Sequence, residues 1–277
     1  MLDMTIVDDI IMRALKEDMP MGDLTTDSII PSDAICSASL IAKEEGIIAG
    51  LDVFERVFTL LDPKIYIERY VNEGEKVKAK TLIMRLSGNA RAMLKAERTA
   101  LNLLQRMSGI ATATNRFAEI LKGTKTKIVD TRKTAPGLRY LDKYAVRAGG
   151  GTNHRFCLSD GVLIKDNHIK AAGSITAAVE RARAAIPHTI KIEVETESLE
   201  QVKEALEAGA DIIMLDNMTP ELMKQAVELI AGKALTEASG NVNLGNIEEV
   251  AATGVDIISV GAITHSVKAM DISMKFE

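Results

Sequence analysis

TIKIEVETESLEQVKEALEAGADIIMLDN, residues 189–217, decides the fold of this chain. A β-branched run is followed by a stretch of helical period and then by a second apolar run, a pattern typical of strand, helix and next parallel strand. Glu195, Asp216 and Glu237 follow one another at intervals of 21 residues, a natural length for one strand, one helix and two short loops. The stretch therefore predicts a parallel sheet built from repeated strand and helix units.

The same pattern covers the chain from about residue 125 onward. The six strands that it predicts are residues 126–132, 161–166, 189–196, 211–217, 234–240 and 256–262. Helices predicted between the later strands are residues 199–209, 221–232 and 246–254. Six such units favour an incomplete parallel (β/α) barrel, and a doubly wound open sheet is the alternative.

Residues 1–88 lack this regular alternation. Helices are predicted at residues 4–17 and 50–62, a loop at residues 22–27, and strands at residues 34–43, 64–71 and 76–88. These elements favour an α+β unit with a small antiparallel sheet.

A long helical stretch, residues 90–123, joins the two patterns. A Ser/Gly pair such as Ser108-Gly109 commonly kinks a helix or ends it before another begins, so we expect a break and an interdomain hinge there. The expected domains are residues 1–108 and residues 109–267, with residues 268–277 as a tail that can pack back on the first.

The composition is that of a soluble globular protein. The chain has 277 residues, 47% hydrophobic and 26% charged, which argues against disorder. Only 3% of residues are aromatic and the net charge is −5, which weakens the case for nucleic-acid binding. Cys36 and Cys157 lie far apart without the spacing of a zinc site. Because no export signal or membrane span is apparent, we expect a cytoplasmic protein.

A cationic stretch, residues 130–168, has the profile of an anion-binding site, because it holds seven cations against four acids. Its cations are Arg132, Lys133, Arg139, Lys143, Arg147, Arg155 and Lys165. The glycines at 149–151 would let backbone approach a ligand closely. The alternative is a solvated basic loop.

Ionisable side chains end the predicted strands, although buried parallel strands should be apolar. The first two strands end in Arg132, Lys133 and Lys165, and the next three end in Glu193, Glu195, Asp216 and Glu237. Alternation places Glu193 and Glu195 on one side of their strand, where they could present carboxylates with Asp216. Cations beside acids suit a polyanion bound through Mg²⁺. Alternatively, these groups pair with one another inside the barrel.

Two turns at the ends of the last strands, residues 237–241 and 259–263, are built of small residues and precede helices. Backbone N–H groups at helix N-termini can hold a phosphate, and barrels commonly place one after the final strands. No P-loop motif is present, and the glycines at 149–151 lack the context of a dinucleotide fingerprint.

Eight short motifs occur in order: AERTALNLLQRMSGIAT, DTRKTAPGLR, GGGTNHR, LIKDNH, EVE, MLDN, EASG and SVGAITHS. Together they closely resemble the quinolinate phosphoribosyltransferase family, also called nicotinate-nucleotide pyrophosphorylases. The resemblance implies an N-terminal α/β sandwich domain and an incomplete barrel of six to seven strands. It also implies a homodimer with shared active sites that uses Mg²⁺, quinolinate and phosphoribosyl pyrophosphate in NAD biosynthesis.

The resemblance implies roles for individual residues. Quinolinate would be clamped by Arg132, His154 and Arg155, with Arg98 reaching across from the partner subunit. The alternative for Arg98 is a helix-surface ion pair with Glu97 or another neighbour.

The other implied contacts involve both substrates. Thr131, Lys133 and Lys165 would contact substrate or pyrophosphate oxygens, Glu195 and Asp216 would lie near Mg²⁺ and the ribose, and Ser239, Gly240, Gly261 and His265 would hold the 5-phosphate. Lys133, Lys165, Glu195 and Asp216 are the implied catalytic residues.

Other functions fit parts of the sequence. Close relatives of the family include proteins of uncertain substrate, and the intact cationic set argues against them. A Schiff-base aldolase could use Lys165 as its nucleophile, but that leaves the arginines and both phosphate turns unexplained. A metabolite-binding protein that retains the barrel without turnover is the non-enzymatic alternative.

Overall fold

The computed structural model describes residues 2–277. Its strands are β1 (Ile35–Ala42), β2 (Gly46–Ile47), β3 (Tyr66–Arg69), β4 (Lys76–Val77), β5 (Leu82–Asn89), β6 (Lys127–Val129), β7 (Val162–Ile164), β8 (Ile192–Thr196), β9 (Ile212–Asp216), β10 (Leu235–Ser239), β11 (Ile257–Ser259) and β12 (Ile272–Phe276). Its helices are α1 (Met4–Asp18), α2 (Leu24–Ile29), α3 (Leu51–Leu61), α4 (Ala90–Ile120), α5 (Arg139–Ala148), α6 (Asp166–Ala172), α7 (Ile175–Ala185), α8 (Leu199–Glu207), α9 (Pro220–Ile230), α10 (Ile247–Ala252) and α11 (Ala262–His265). Within the described residues, no helix combines the length and apolar character needed to cross a bilayer.

The chain folds into two compact units. The first consists of Met1–Asn115, Thr134–Gly150 and Thr264–Glu277, and the second of Arg116–Lys133 and Gly151–Ile263.

An antiparallel sheet forms the centre of the first unit, with the order β12-β1-β5-β3. Apolar side chains of β1 and β5, including Leu40 and Met84, are fully buried, as are Phe54 and Phe58 of the amphipathic helix α3. Residues 272–276 pair with β1, from Ala42↔Ile272 to Ala38↔Phe276. The last strand in the sequence is therefore an edge strand of the first unit's sheet.

The break expected at Ser108-Gly109 does not occur, because α4 runs through both residues. The Ser108 side chain is buried, and its Oγ accepts a hydrogen bond from the Ala49 N–H at 3.1 Å. A Cβ on Gly109 would lie 2.3 Å from the carbonyl oxygen of Lys268. Both small residues serve packing within the first unit, so they do not end the helix.

The loop expected at residues 22–27 is also wrong, since most of it is helix α2. Asp23 is the N-cap, and its Oδ1 accepts the Thr26 N–H at 3.0 Å. A carboxylate at this position pairs with an N–H that the first helical turn leaves unsatisfied. That bond makes a short helix possible here.

A parallel six-stranded sheet forms the second unit, with the order β6-β11-β10-β9-β8-β7. All six predicted strands are confirmed. The order is that of a ring cut between its first two strands, because β6 pairs with β11 while β7 pairs with β8. A doubly wound sheet would reverse its strand order part-way, so that alternative is wrong. An isolated parallel bridge, Val129↔Thr152, extends the β6 edge.

The cationic stretch at 130–168 is not one loop, because it contains helix α5, which belongs to the first unit. Arg139, Lys143 and Arg147 lie on α5, and Lys143 is buried. Gly149, the first glycine of the run at 149–151, packs closely against backbone, since a Cβ on it would lie 2.3 Å from the Ala111 carbonyl oxygen. The seven cations are therefore divided between two units.

Candidate active site

The carboxyl ends of β7 to β10 lie at one edge of the second unit's sheet because the strands are parallel. Ser239 is the register partner of Asp216, and Glu195 is the partner of Met214. Side chains that end these strands are thus gathered in one place.

Lys165 and Glu195 form an ion pair at this edge, with 2.6 Å between Nζ and Oε2. Lys165 follows β7 and Glu195 lies in the neighbouring strand β8. These two strand-end charges therefore pair with each other, but at an exposed edge of the sheet and not inside the barrel, as the alternative supposed. The lysine side chain is 48% exposed and the glutamate side chain 14%, so a ligand can reach the pair. We call this edge of the sheet, where the strands β7 to β10 end, the opening.

Asp216, at the end of β9, accepts a hydrogen bond at Oδ2 from Nδ2 of Asn217 at 2.7 Å. The neighbouring turn begins at Ser239, whose carbonyl oxygen accepts the Asn217 N–H at 2.9 Å. Asn217 is a site residue that the sequence analysis missed. The one available signal was its type, because asparagine tolerates the left-handed conformation that often follows a strand end.

A buried polar cluster lies one step deeper along the strands. It consists of His154, Glu193 and Glu237, and the residue exposures of the two acids are 4% and 1%. His154 Nε2 lies 3.1 Å from Glu193 Oε2 and 3.5 Å from Glu237 Oε2. The expectation that Glu193 presents its carboxylate beside Glu195 is therefore wrong. Alternation sets which face of a strand a side chain lies on, but not how deep it lies along the strand.

The hydrogen bonds of the His154 ring fix its proton. Nδ1 accepts the Arg155 N–H at 2.8 Å, so the ring proton resides on Nε2, which faces the two carboxylates. Burial and the negative charge of Glu193 raise the pKa of Glu237 to about 7, against the opposing effects of His154 and a hydrogen bond from Ser259. Neither Glu193 Oε1 nor Glu237 Oε1 has a hydrogen-bond partner within residues 2–277.

One nitrogen of His154 and one oxygen from each acid lie within 4.8 Å of one another, so the cluster has the donor types of a small metal site. The raised pKa of Glu237 means that a proton on this carboxyl group relieves its repulsion with Glu193.

Asp130 fixes the loop that carries the cluster's histidine. It is fully buried, its Oδ1 accepts the His154 N–H at 2.9 Å, and its Oδ2 accepts Nδ2 of Asn153 at 2.6 Å. The next residue, Arg155, donates from Nη1 to the Gly161 carbonyl oxygen at 2.8 Å. A buried carboxylate therefore holds the two residues that precede Arg155 in the chain.

Arg132 and Arg155 are half-buried near each other. Burial and then the positive charge of Arg132 lower the pKa of Arg155, while the charge of Glu193 acts in the opposite direction. An anion bound beside Arg155 would offset this effect of the Arg132 charge. Nearby, Thr131 Oγ1 accepts the N–H of the exposed Lys133 at 3.0 Å.

Two residues implied in the site belong to the first unit. Arg98 is exposed on α4 and forms no ion pair with Glu97 or with any other described residue, so the ion-pair alternative is wrong. His265 is exposed at the end of α11, where its Nδ1 lies 2.7 Å from Ser266 Oγ. Gly261 immediately precedes α11 and belongs to the second unit.

Two family models match this chain. The model of the quinolinate phosphoribosyl transferase C-terminal domain matches residues 110–275, and that of the N-terminal domain matches residues 23–108. The chain belongs to the quinolinate phosphoribosyltransferase family. The resemblance noted in the sequence is thereby confirmed.

Relatives in the quinolinate phosphoribosyltransferase family match over nearly the whole chain. A probable nicotinate-nucleotide pyrophosphorylase (carboxylating) of Bacillus subtilis is 48% identical over 93% of this chain and 89% of its own length. A mitochondrial quinolinate phosphoribosyltransferase (decarboxylating) of Nicotiana glauca is 45% identical over 97% of this chain and 82% of its own length. The crystal structure of NadC from Streptococcus pyogenes is 44% identical, with a TM-score of 0.96 over 100% of this chain and 98% of that one. The expected fold class is confirmed.

Proposed function

We propose that this chain transfers the phosphoribosyl group of phosphoribosyl pyrophosphate to quinolinate, giving nicotinate mononucleotide, pyrophosphate and carbon dioxide in the de novo synthesis of NAD. The observation that carries the proposal is the match of both quinolinate phosphoribosyl transferase domains to this chain, over residues 23–108 and 110–275. The half-buried cations Arg132 and Arg155 suit a dicarboxylate substrate. The names of the relatives at 48% and 45% identity support the same reaction.

Quinolinate carries two carboxylates on adjacent ring carbons. Planar guanidinium groups bind carboxylates through two parallel hydrogen bonds, so Arg132 and Arg155 would both bind the quinolinate carboxylates. His154 would hold Arg155 in place, because its ring Nδ1 accepts the backbone N–H of Arg155. Arg98 is exposed and without an ion pair, which suits a homodimer in which the partner's Arg98 closes the same pocket.

Phosphoribosyl pyrophosphate would lie across the strand ends on the other side of the opening. Lys133 and Lys165 would neutralise its pyrophosphate oxygens, and Glu195 and Asp216 would hold Mg²⁺. The donor chemistry fits, because Mg²⁺ prefers one or two carboxylates together with phosphate oxygens and retained waters. When bound, the ion would supply positive charge to the leaving pyrophosphate.

The 5-phosphate would be held by the two turns after the last strands. Ser239 and Gly240 form one turn, and Gly261 precedes helix α11, which ends at His265. Backbone N–H groups in such turns favour an anion.

In the first step, the quinolinate ring nitrogen would form a bond to the anomeric carbon while the bond from that carbon to the pyrophosphate oxygen breaks. Positive charge develops on the ribose, and the carboxylates of Glu195 and Asp216 would stabilise it. The product ring nitrogen is cationic. In the second step, the bond to the adjacent carboxylate breaks, carbon dioxide leaves with its electron pair retained on the ring carbon, and that carbon takes a proton from solvent. The cationic nitrogen stabilises this carbanion, so substitution precedes decarboxylation.

The decisive experiment incubates the protein with quinolinate, phosphoribosyl pyrophosphate and Mg²⁺ and measures nicotinate mononucleotide and carbon dioxide. Release of pyrophosphate excludes the pure binding protein, and failure of borohydride to trap a carbonyl substrate on Lys165 excludes the aldolase. Absence of all products from folded protein would refute the proposal.

Substrate choice gives an independent check. Nicotinate lacks one carboxylate, so one guanidinium of this half-buried pair would lose its bond to the substrate, at a cost of about 1–3 kcal/mol. Quinolinate should therefore bind about ten to a hundred times more tightly than nicotinate. Equal dissociation constants would contradict the assigned roles of Arg132 and Arg155.

We further propose that the protein acts in the cytoplasm as a homodimer.

A further inference from the structure

Asn217 occupies an unusual backbone position immediately after β9. Its φ is 53°, in the left-handed region that few side chains other than asparagine and aspartate adopt readily. Its N–H donates to the Ser239 carbonyl oxygen on the next strand at 2.9 Å. This conformation turns the side chain back across the ends of two strands.

The Asn217 carboxamide joins two parts of the opening. Nδ2 donates to Asp216 Oδ2 at 2.7 Å, and Oδ1 accepts a hydrogen bond from Nδ2 of Asn241 at 3.0 Å. A carboxylate could accept but not donate, and a hydroxyl would be too short to span both partners. Asparagine therefore meets a specific requirement between Asp216 and the turn at residues 239–241.

Gly240 is shaped to this carboxamide. Its φ is 88°, and a Cβ placed on it would lie 2.2 Å from Asn217 Oδ1 and 2.6 Å from Asn217 Cγ. Real Cβ atoms do not approach other atoms so closely. The glycine in this turn is consequently required by the Asn217 side chain, whether or not a phosphate also lies there.

The far end of the link is anchored as well. Asn241 also has a left-handed φ, of 54°, and its carbonyl oxygen accepts hydrogen bonds from Nδ2 of Asn243 at 3.2 Å and Nδ2 of Asn246 at 3.1 Å. Asn246 is the N-cap of helix α10. The turn is thus tied on one side to Asn217 and on the other to a helix.

We propose that Asn217 is a positioning residue that holds the Asp216 carboxylate and the turn at residues 239–241 in a fixed relation, so that ligand binding at one is coupled to binding at the other. The inference rests on the proposed function, in which Asp216 faces Mg²⁺ and the ribose while the turn faces the 5-phosphate. These groups belong to one ligand, phosphoribosyl pyrophosphate. Loss of the link should therefore weaken that substrate and spare quinolinate.

The test compares Asn217→Gly, Asn241→Gly and the double variant, because both positions are left-handed. Glycine accepts the left-handed backbone and removes the carboxamide alone, whereas alanine at position 217 would add backbone strain. Ala231→Gly is the matched control, because Ala231 is also left-handed, at φ 49°, and lies outside the site at the end of α9. Asn217→Asp keeps the side-chain shape and replaces the donor with an oxygen that repels Asp216.

Loss of one hydrogen bond to a charged group should raise the KM for phosphoribosyl pyrophosphate about tenfold in Asn217→Gly. Asn217→Asp should be affected at least as strongly, and the control should match the wild type. The KM for quinolinate should stay within about twofold in all variants, because its ligands are elsewhere. The double variant should be no worse than the more affected single variant, since both changes break the same link.

Calorimetric titration with phosphoribosyl pyrophosphate and Mg²⁺ should give the same order of affinities without turnover. Equal increases in both KM values, multiplication of the single effects in the double variant, or unchanged KM values would each overturn the positioning role. Wild-type protein that binds phosphoribosyl pyrophosphate without forming product would overturn the proposed reaction, and the binding cycle would still decide the role of Asn217. Wild-type protein that does not bind phosphoribosyl pyrophosphate would overturn both.

Discussion

Replacing Glu237 with glutamine should change how the stability of this protein depends on pH. Its carboxyl group is 1% exposed, and burial together with the charge of Glu193 raises its pKa from 4.5 to about 7. Between these values, the folded chain keeps a proton that the unfolded chain has released. The unfolded state therefore binds fewer protons than the folded state, and the stability contribution of this group falls as pH rises through this window.

The size of the effect follows from the width of the window. A shift of one pKa unit corresponds to about 1.4 kcal/mol, so full ionisation of Glu237 should cost about 1–3 kcal/mol in the folded state. Glutamine imitates the protonated carboxyl group and cannot ionise. The free energy of unfolding of the variant should thus match that of the wild type at about pH 5. At about pH 8 it should exceed the wild-type value by about 1–3 kcal/mol.

Urea unfolding at a series of pH values measures this difference directly. Glu180→Gln, on the exposed surface of α7, is the matched control and should show no such divergence between the two pH values. A constant difference between Glu237→Gln and wild type across the series would show that Glu237 is already ionised at low pH. In that case the raised pKa of Glu237 would be refuted.

Three further outcomes follow from other parts of the molecule. Asp142→Asn should lower the free energy of unfolding by about 3–5 kcal/mol in urea titrations, because the buried carboxylate pairs with Arg106 at 2.7 Å, and an effect below about 1 kcal/mol would contradict this. Gly109→Ala should lower the melting temperature by several degrees, since the new Cβ meets a backbone oxygen at 2.3 Å, and an unchanged melting temperature would contradict the close packing. Inactive Arg98→Ala and Lys165→Ala chains, refolded together, should regain about a quarter of wild-type active sites if each site takes Arg98 from the partner, whereas inactive hybrid dimers would contradict a shared site.

The strands of the second unit could be predicted because they satisfy a local rule. A strand covered on both faces must be apolar along most of its length, so runs such as DIIML at 211–215 carry their own signal. The helix through Ser108 and Gly109 could not be predicted in this way. Gly109 is glycine because of the Lys268 carbonyl group, which is far away in the sequence.

Sequence could also predict which charges end the strands but not how deep each one lies. Glu193 and Glu195 have the same side-chain type and the same face, yet one contacts His154 in the interior and the other contacts Lys165 at the opening. Strand register and the path of the loop through His154 decide between these positions. Helix α2 is a different case, because an aspartate such as Asp23 favours the N-cap position and is a local signal for the start of a helix.

The pairing of β12 with β1 means that the first unit is not a contiguous piece of the chain. On the ribosome, β1 would emerge early and would wait without this neighbour until residues 272–276 had been made. An unpaired strand edge is a template for association with other chains, so the nascent protein carries such an edge throughout synthesis of the second unit. In a fragment that stops before residue 272, this edge of β1 would remain unpaired. We therefore expect truncated chains to aggregate before any loss of activity can be measured.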